Sequence, residues 1–263
     1  MKELERLLSI MKRLRDPETG CPWDREQSIN SIKGFTIEEA YEVVDAIERN
    51  EMADLKDELG DLLFHIVFYS EMANEQGEFN FQQVVNQVCD KLERRHPHVF
   101  SDMQLNNSDE VKAHWEKTKS KERKSSQKNH NSILDDISAH MPAIMRAGKL
   151  QKRAASIGFD WDNIEDVLNK VQEELDELRD AIKQDSDREH IREEIGDLLF
   201  CCVNLARKLR VDSETALRQT NDKFINRFQY IEQKLTEQGN TLEKASLKEM
   251  DDLWNKAKQN SIS

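Results

Sequence analysis

Apolar side chains in the second half of the chain recur at steps of three and four. Val167, Val171, Leu175, Leu178 and Ile182 trace one such line, and Ile191, Ile195, Leu198, Cys202 and Leu205 trace another. That spacing marks one face of an α-helix and predicts a buried stripe on each. The polar break KQDSDREH separates them. Two long helices joined by so short a loop are expected to pack antiparallel. VDSETALRQTNDKFINRF predicts a third helix, with Asp212 or Ser213 as N-cap and Glu214 in the first turn. A final helix is expected over roughly 246–258. No strand-like alternation competes, so the expected fold class is all-α, a four-helix bundle.

The first half repeats this plan. CPWD (21–24), IEEAYEVVDAI (37–47), DELGDLLFHIVF (57–68), DKLERRHPHVF (90–100) and HWEKTK (114–119) occur there in order. GFDWD (158–162), QEELDELRDAI (172–182), EEIGDLLFCCVNLA (193–206), NDKFINRF (221–228) and LWNKAK (253–258) answer them at close spacings. One unit has been duplicated. KTKSKERKSSQKNHNS, between the copies, is polar and aperiodic. The expected organisation is therefore a domain over 1–122, a linker over 123–132 and a second domain over 133–263. In the first copy Pro97 is expected to end its helix, whereas NRFQYIEQKL continues helically.

Composition narrows the function. The formal net charge is −13, a poor match for a nucleic-acid partner, which favours a basic face. No segment approaches the ~20 apolar residues of a membrane helix, so no membrane partner is expected. Cys21, Cys89, Cys201 and Cys202 form no CxxC pair and read as reduced thiols in a cytoplasmic protein.

The acids carry the candidate chemistry. Glu174 and Glu177 share a helical face, as do Glu194 and Asp197 on the next helix. Converging carboxylates repel and need a cation. Oxygen ligands of this kind suit Mg²⁺ or Mn²⁺. A single ExxE reads most simply as a solvated helix face. The first copy, however, keeps the same arrangement as Glu38, Glu39 and Glu42, then Glu58 and Asp61, while residues between differ. Neither copy has the ExxH pair of a di-iron bundle beside its acids, and the loop of an EF-hand is absent from the sequence.

Cations are duplicated as well. Lys223 and Arg227 match Lys91 and Arg95, while Trp254 and Lys258 match Trp115 and Lys119. Singly, these read as surface charges and core tryptophans. Beside a carboxylate–metal cluster they point to phosphate clamps and an aromatic surface for a base.

EExxE followed by ExxD, together with RDPETGCPWD, ERRHPHVF and QKRAASIGFDWD, resembles the signature of the MazG-type, all-α nucleoside triphosphate pyrophosphohydrolases. The tandem layout is similar to full-length members, over essentially the whole chain. The resemblance implies Mg²⁺-dependent hydrolysis of nucleoside triphosphates, ATP among them, to monophosphate and pyrophosphate. It implies metal ligands at Glu174, Glu177, Glu194 and Asp197, with Glu173 assisting or activating water. The matching first-copy set is Glu39, Glu42, Glu58 and Asp61, with Glu38. Triphosphate contacts fall on Lys223 and Arg227, and base-side contacts on Trp254 and Lys258. A homodimer is also implied, with the second domain as the main catalytic one. The alternatives are a metal-stabilised scaffold with vestigial sites, or a hydrolase narrow for one nucleotide or an alarmone.

Overall fold

The computed structural model describes residues 2–125 and 132–260. Among these residues there are twelve helices and no strand. The chain divides into two compact units, Met1–Ser125 and Ser126–Ser263. The linker expected over 123–132 falls partly in the last helix of unit 1, and 126–131 lie outside the described residues.

In unit 1, α1 (Lys2–Leu14) and the short α2 (Pro22–Glu26) precede the hairpin of α3 (Lys33–Glu48) and α4 (Met52–Glu75). Then come α5 (Phe81–Arg95), α6 (Pro97–Phe100) and α7 (Ser108–Ser125). Pro97 does separate α5 from α6, with His96 between them. Unit 2 consists of α8 (Ala143–Ala155), α9 (Ile164–Lys183), α10 (Arg188–Lys208), α11 (Ser213–Glu237) and α12 (Leu247–Asn260).

Local signals explain the boundaries. Asn163, Asp187 and Asp212 each cap a helix, accepting from the backbone N–H three residues on. Asn80 and Gln83 form a reciprocal capping box on α5. The two hairpin turns are twins, for Asn50 and Asp185 sit at φ of 58° and 52° in matching places. Both residue types tolerate that left-handed conformation.

The α3–α4 and α9–α10 hairpins are the most extensive helix contacts of their units. The inner face of α4 also packs on α1, and that of α10 on α8. Unit 1 is centred on Met11, Ile32, Val67, Phe68 and Met72. In unit 2, Ile231, Leu235 and Leu253 join α11 to α12.

The predicted stripes need one correction. Ile182, Ile195 and Cys202, expected inside, are exposed. The deepest line of α9 runs Val167, Glu174, Ala181, and that of α3 runs Ile32, Glu39, Ala46 with Glu39 half-buried. Each line is stepped by seven residues and passes through an acid. The hairpin partner covers only one side of α9 or α3. The other apolar side chains, including Ile37, Ile47, Leu59, Ile182 and Leu199, stand open on the protomer.

Candidate metal site

The hairpins bring the acids together. In unit 2 one carboxylate oxygen from each of Glu174, Glu194 and Asp197 lies within 4.8 Å of the others. In unit 1 Glu39, Glu58 and Asp61 do the same. Each trio takes one ligand from the first hairpin helix and an i, i+3 pair from the second. Depth falls across the trio: Glu174 is buried, Glu194 half-buried and Asp197 exposed.

Glu177 and Glu42, expected as fourth ligands, border the trios rather than closing them. Their fields are still felt. The Glu177 carboxyl is pushed up by desolvation, then by Glu174. Glu39 is pushed up by burial, then by Glu42 and Asp61. Glu58 is raised by desolvation, then by Glu42. In unit 1, Glu39 and Glu58, raised by desolvation and by acidic neighbours, belong to a donor set that a divalent cation would relieve. The residues fit a hard metal ion.

The neighbours of the trios differ. In unit 2, Lys170 Nζ lies 2.8 Å from both Glu173 and Glu174, and these contacts raise its pKa. His190 Nδ1 is 3.6 Å from Glu194. In unit 1, Glu39 faces buried His65 at 3.7 Å. The His65 imidazole is pushed down chiefly by desolvation, and it stacks 6.5 Å from Phe35. The counterpart of His65 is Cys201, whose thiol burial pushes up to about 11. Cys201 is thus a neutral packing group. Sequence reading missed Lys170 and His190, although each lies four residues before a trio acid.

The phosphate-clamp candidates also divide. Arg95 donates to Glu122 at 2.6 Å, and Lys119 lies 3.6 Å from Glu116. Arg227 lies over the Trp254 ring at 5.5 Å, with its Nε buried and unpartnered. Trp254 is half-buried against the α11–α12 core and Phe224, whereas Lys223 and Lys258 are exposed. Trp115 is half-buried beside His96 at 5.0 Å, and Lys91 is half-buried. Among the described residues, no ion pair joins Lys223 or Arg227 to the acidic trio. A cavity of about 860 Å³ beside Arg15 and Glu75 touches none of these candidates.

Fold and site together define an all-α protein with two carboxylate metal-type clusters in tandem. The family model described as MazG nucleotide pyrophosphohydrolase domain matches twice, at residues 27–100 and 163–231. The chain is 49% identical over 263 residues to the nucleoside triphosphate pyrophosphohydrolase of Escherichia coli strain K12, covering 100% of this chain and 99% of that one. It is 41% identical over 254 residues to the Thermotoga maritima nucleoside triphosphate pyrophosphohydrolase/pyrophosphatase MazG, 97% and 95% of the two chains. A Bacillus subtilis protein named uncharacterized protein YabN is 39% identical over 257 residues, 98% of this chain and 52% of its own. The chain belongs to the MazG family of nucleotide pyrophosphohydrolases.

Proposed function

We propose that the protein hydrolyses nucleoside triphosphates to nucleoside monophosphate and pyrophosphate, with Mg²⁺ held by carboxylates and Mn²⁺ as a substitute. The observation that carries this reading is the trio of Glu174, Glu194 and Asp197, with ligand atoms within 4.8 Å of one another, in a chain of this family. Glu177 and, in the first unit, Glu39, Glu42, Glu58 and Asp61 complete the ligand sets we assign. When bound, the ion supplies Lewis-acid polarisation of a phosphoryl oxygen and acidifies water. Glu173, beside Glu174 and tethered by Lys170, is assigned to accept the proton of the attacking water. Attack at the α-phosphorus forms one P–O bond and breaks the bond to the bridging oxygen, so pyrophosphate leaves. Lys223 and Arg227 are assigned to the phosphates, where they stabilise charge on the leaving group. Trp254, whose ring the Arg227 guanidinium covers at 5.5 Å, and Lys258 are assigned to the base side. We assign the same contacts in weakened form to Lys91, Arg95, Trp115 and Lys119.

We assign broad base tolerance and a house-cleaning or stress role in the cytoplasm. The free thiols of all four cysteines suit a reducing compartment. Among the described residues no helix is long and apolar enough to cross a membrane. A homodimer is part of the reading. Its support is the open apolar face of the acid-bearing helices, where Ile37, Ile47, Ile182 and Leu199 are each more than half exposed.

The test is product analysis. Pure protein, Mg²⁺ and a mixed set of triphosphates should yield monophosphate and pyrophosphate in equal amounts, with no diphosphate accumulating. Diphosphate with orthophosphate would place attack at the γ-phosphorus and overturn the assignment.

A further inference from the structure

Unit 1 holds a carboxylate gripped by two arginines. α5 ends at Arg95, with Pro97 opening the next helix. Its last turn carries Arg94 and Arg95, and Lys91 stands one turn before Arg95. Glu122 reaches them from α7, which packs on α5. Its Oε1 accepts from Arg94 Nε at 2.9 Å and lies 2.8 Å from Arg94 Nη2. Its Oε2 accepts from Arg95 Nη2 at 2.6 Å and from Arg95 Nε at 3.2 Å. The hydrogen bond from Arg95 holds the Glu122 carboxyl below its usual range, with Arg94 adding to it. Each guanidinium thus presents a fork of N–H groups to one carboxylate oxygen. That is the geometry with which arginine receives a phosphate.

Unit 2 lacks this internal anion. Lys91, Arg95, Trp115 and Lys119 match Lys223, Arg227, Trp254 and Lys258. The same register sets Asn226 opposite Arg94 and Ser261 opposite Glu122. Ser261 lies outside the described residues. Arg227 lies over the Trp254 ring at 5.5 Å. In unit 1 the Trp115 ring meets His96 edge-on at 5.0 Å, and Arg95 turns to Glu122 instead. Unit 1 therefore carries one more cation at this place, together with an acid that neutralises it.

The contact is exchangeable. The Arg94 side chain is 54% exposed and that of Glu122 25%. Ion pairs this open to water add little to stability. A polyphosphate chain brings several charged oxygens against the single charge of a carboxylate, so it competes well for the same forks.

We propose that Lys91, Arg94 and Arg95 form a phosphate site in unit 1 that Glu122 closes from within, and that a polyphosphate chain opens it by displacing Glu122. The proposal rests on the hydrolytic reading, which assigns the matching residues of unit 2 to phosphates. It adds the device that keeps the first clamp shut.

The test is calorimetric titration of inorganic tripolyphosphate, with Mg²⁺, into the full-length chain. Wild type, Glu122→Gln and Glu122→Ser are compared, the last importing the residue of unit 2. Wild type should show a stronger and a weaker site per chain. Both variants should lower Kd of the weaker site by about tenfold, the factor expected when a clamp is open about one time in ten. The stronger site should not move. Glu116→Gln, which removes a charge from the same helix, should change neither. Adding Arg95→Ala to Glu122→Ser should abolish the gain, and adding Arg227→Ala should keep it. ATP should show the same gain as tripolyphosphate, since only the phosphates are read. A gain for ATP alone would overturn the phosphate site. In wild type, excess tripolyphosphate should shift the Arg94 and Arg95 Nε–H resonances, a readout that stands even if a variant fails to fold. If triphosphates are cleaved but the variants bind tripolyphosphate as wild type does, the internal anion falls and hydrolysis stands. If Glu122→Ser tightens the weaker site but no triphosphate is cleaved, hydrolysis falls and the phosphate site stands.

Discussion

The two units build the same hairpin and the same acidic trio, yet they surround it differently. Unit 1 sets His65 against Glu39 with Phe35 stacked on it, and packs Met11 and Phe68 into its core. Unit 2 places Lys170, Cys201, Gln151 and Asn204 at the matching positions. The clamp arginines follow suit. Arg95 is tied to Glu122, while the Nε of Arg227 is buried with no partner. A duplicated scaffold thus keeps the acidic trio in both copies, and on the proposed function unit 2 alone keeps the surroundings that a substrate would use. Ligand geometry is fixed by helix spacing and survives many changes nearby. Substrate recognition depends on a few side chains beyond the hairpin and is lost by ordinary packing substitutions.

The sharpest way to break this comparison is to remove one acid from each trio. Glu174→Ala should lower kcat/KM by a hundredfold or more, since the charge stabilisation a held metal supplies is worth several kcal/mol. Glu39→Ala should change it by less than about threefold. Equal losses would show that the units contribute alike, and steady-state kinetics on both variants decides.

The clamp comes next. Arg227→Ala should raise KM or lower kcat/KM by roughly tenfold, the size of a lost charge-assisted hydrogen bond. Arg95→Ala should leave kinetics near wild type and lower stability only slightly, because the Arg95–Glu122 pair is partly exposed. A kinetic defect in Arg95→Ala would place unit 1 in catalysis.

Much of this was legible in the sequence, for a physical reason. Helix periodicity, the cap at Asp212 and the break at Pro97 act within a few residues, so local reading finds them. The trio was legible because i, i+3 acids recur in both copies. The burial of Ile182, Ile195 and Cys202 was misjudged. Periodicity reports an apolar face but not how much of that face one neighbour covers. Glu122 lies 27 positions beyond Arg95 and meets it only through the packing of α7 on α5. No local pattern announces the pair, although Ser261 in its place, after a repeated tryptophan and lysine, was a visible cue. Lys170 is a different case, since its i, i+4 spacing to Glu174 was there to be read.

Metal binding should stabilise both units, with a smaller effect than the kinetic ones. At a hundredfold excess over Kd a ligand adds about 2.7 kcal/mol, which moves Tm by several degrees in a domain of this size. Mg²⁺ titrated into EDTA-treated protein should raise Tm in wild type and in each single-trio variant, and should fail to do so when both trios are disrupted. A rise that persists in the double variant would put the ion elsewhere.

The smallest effect tests the electrostatics of the metal-free trios. Glu39 and Glu58 have pKa values raised above their ordinary 4.5 by desolvation and by one another's neighbours. The folded state therefore holds more protons than the unfolded state as pH rises through 4.5 and above. Stability contributed by these groups is present at lower pH and is lost across that window. In unit 2, Lys170 sits on Glu174, and its own pKa is raised. Its contribution is intact at neutral pH and is lost only in strong alkali. In EDTA-treated protein at pH 7, Glu39→Gln should thus raise Tm by about 2 °C and flatten the loss above pH 4.5. Glu174→Gln should lower Tm or leave it unchanged, because Lys170 loses a partner. Thermal scans of both variants across pH would show it. If Glu174→Gln stabilises as much as Glu39→Gln, Lys170 does not compensate its trio, and the two sites are electrostatic equals.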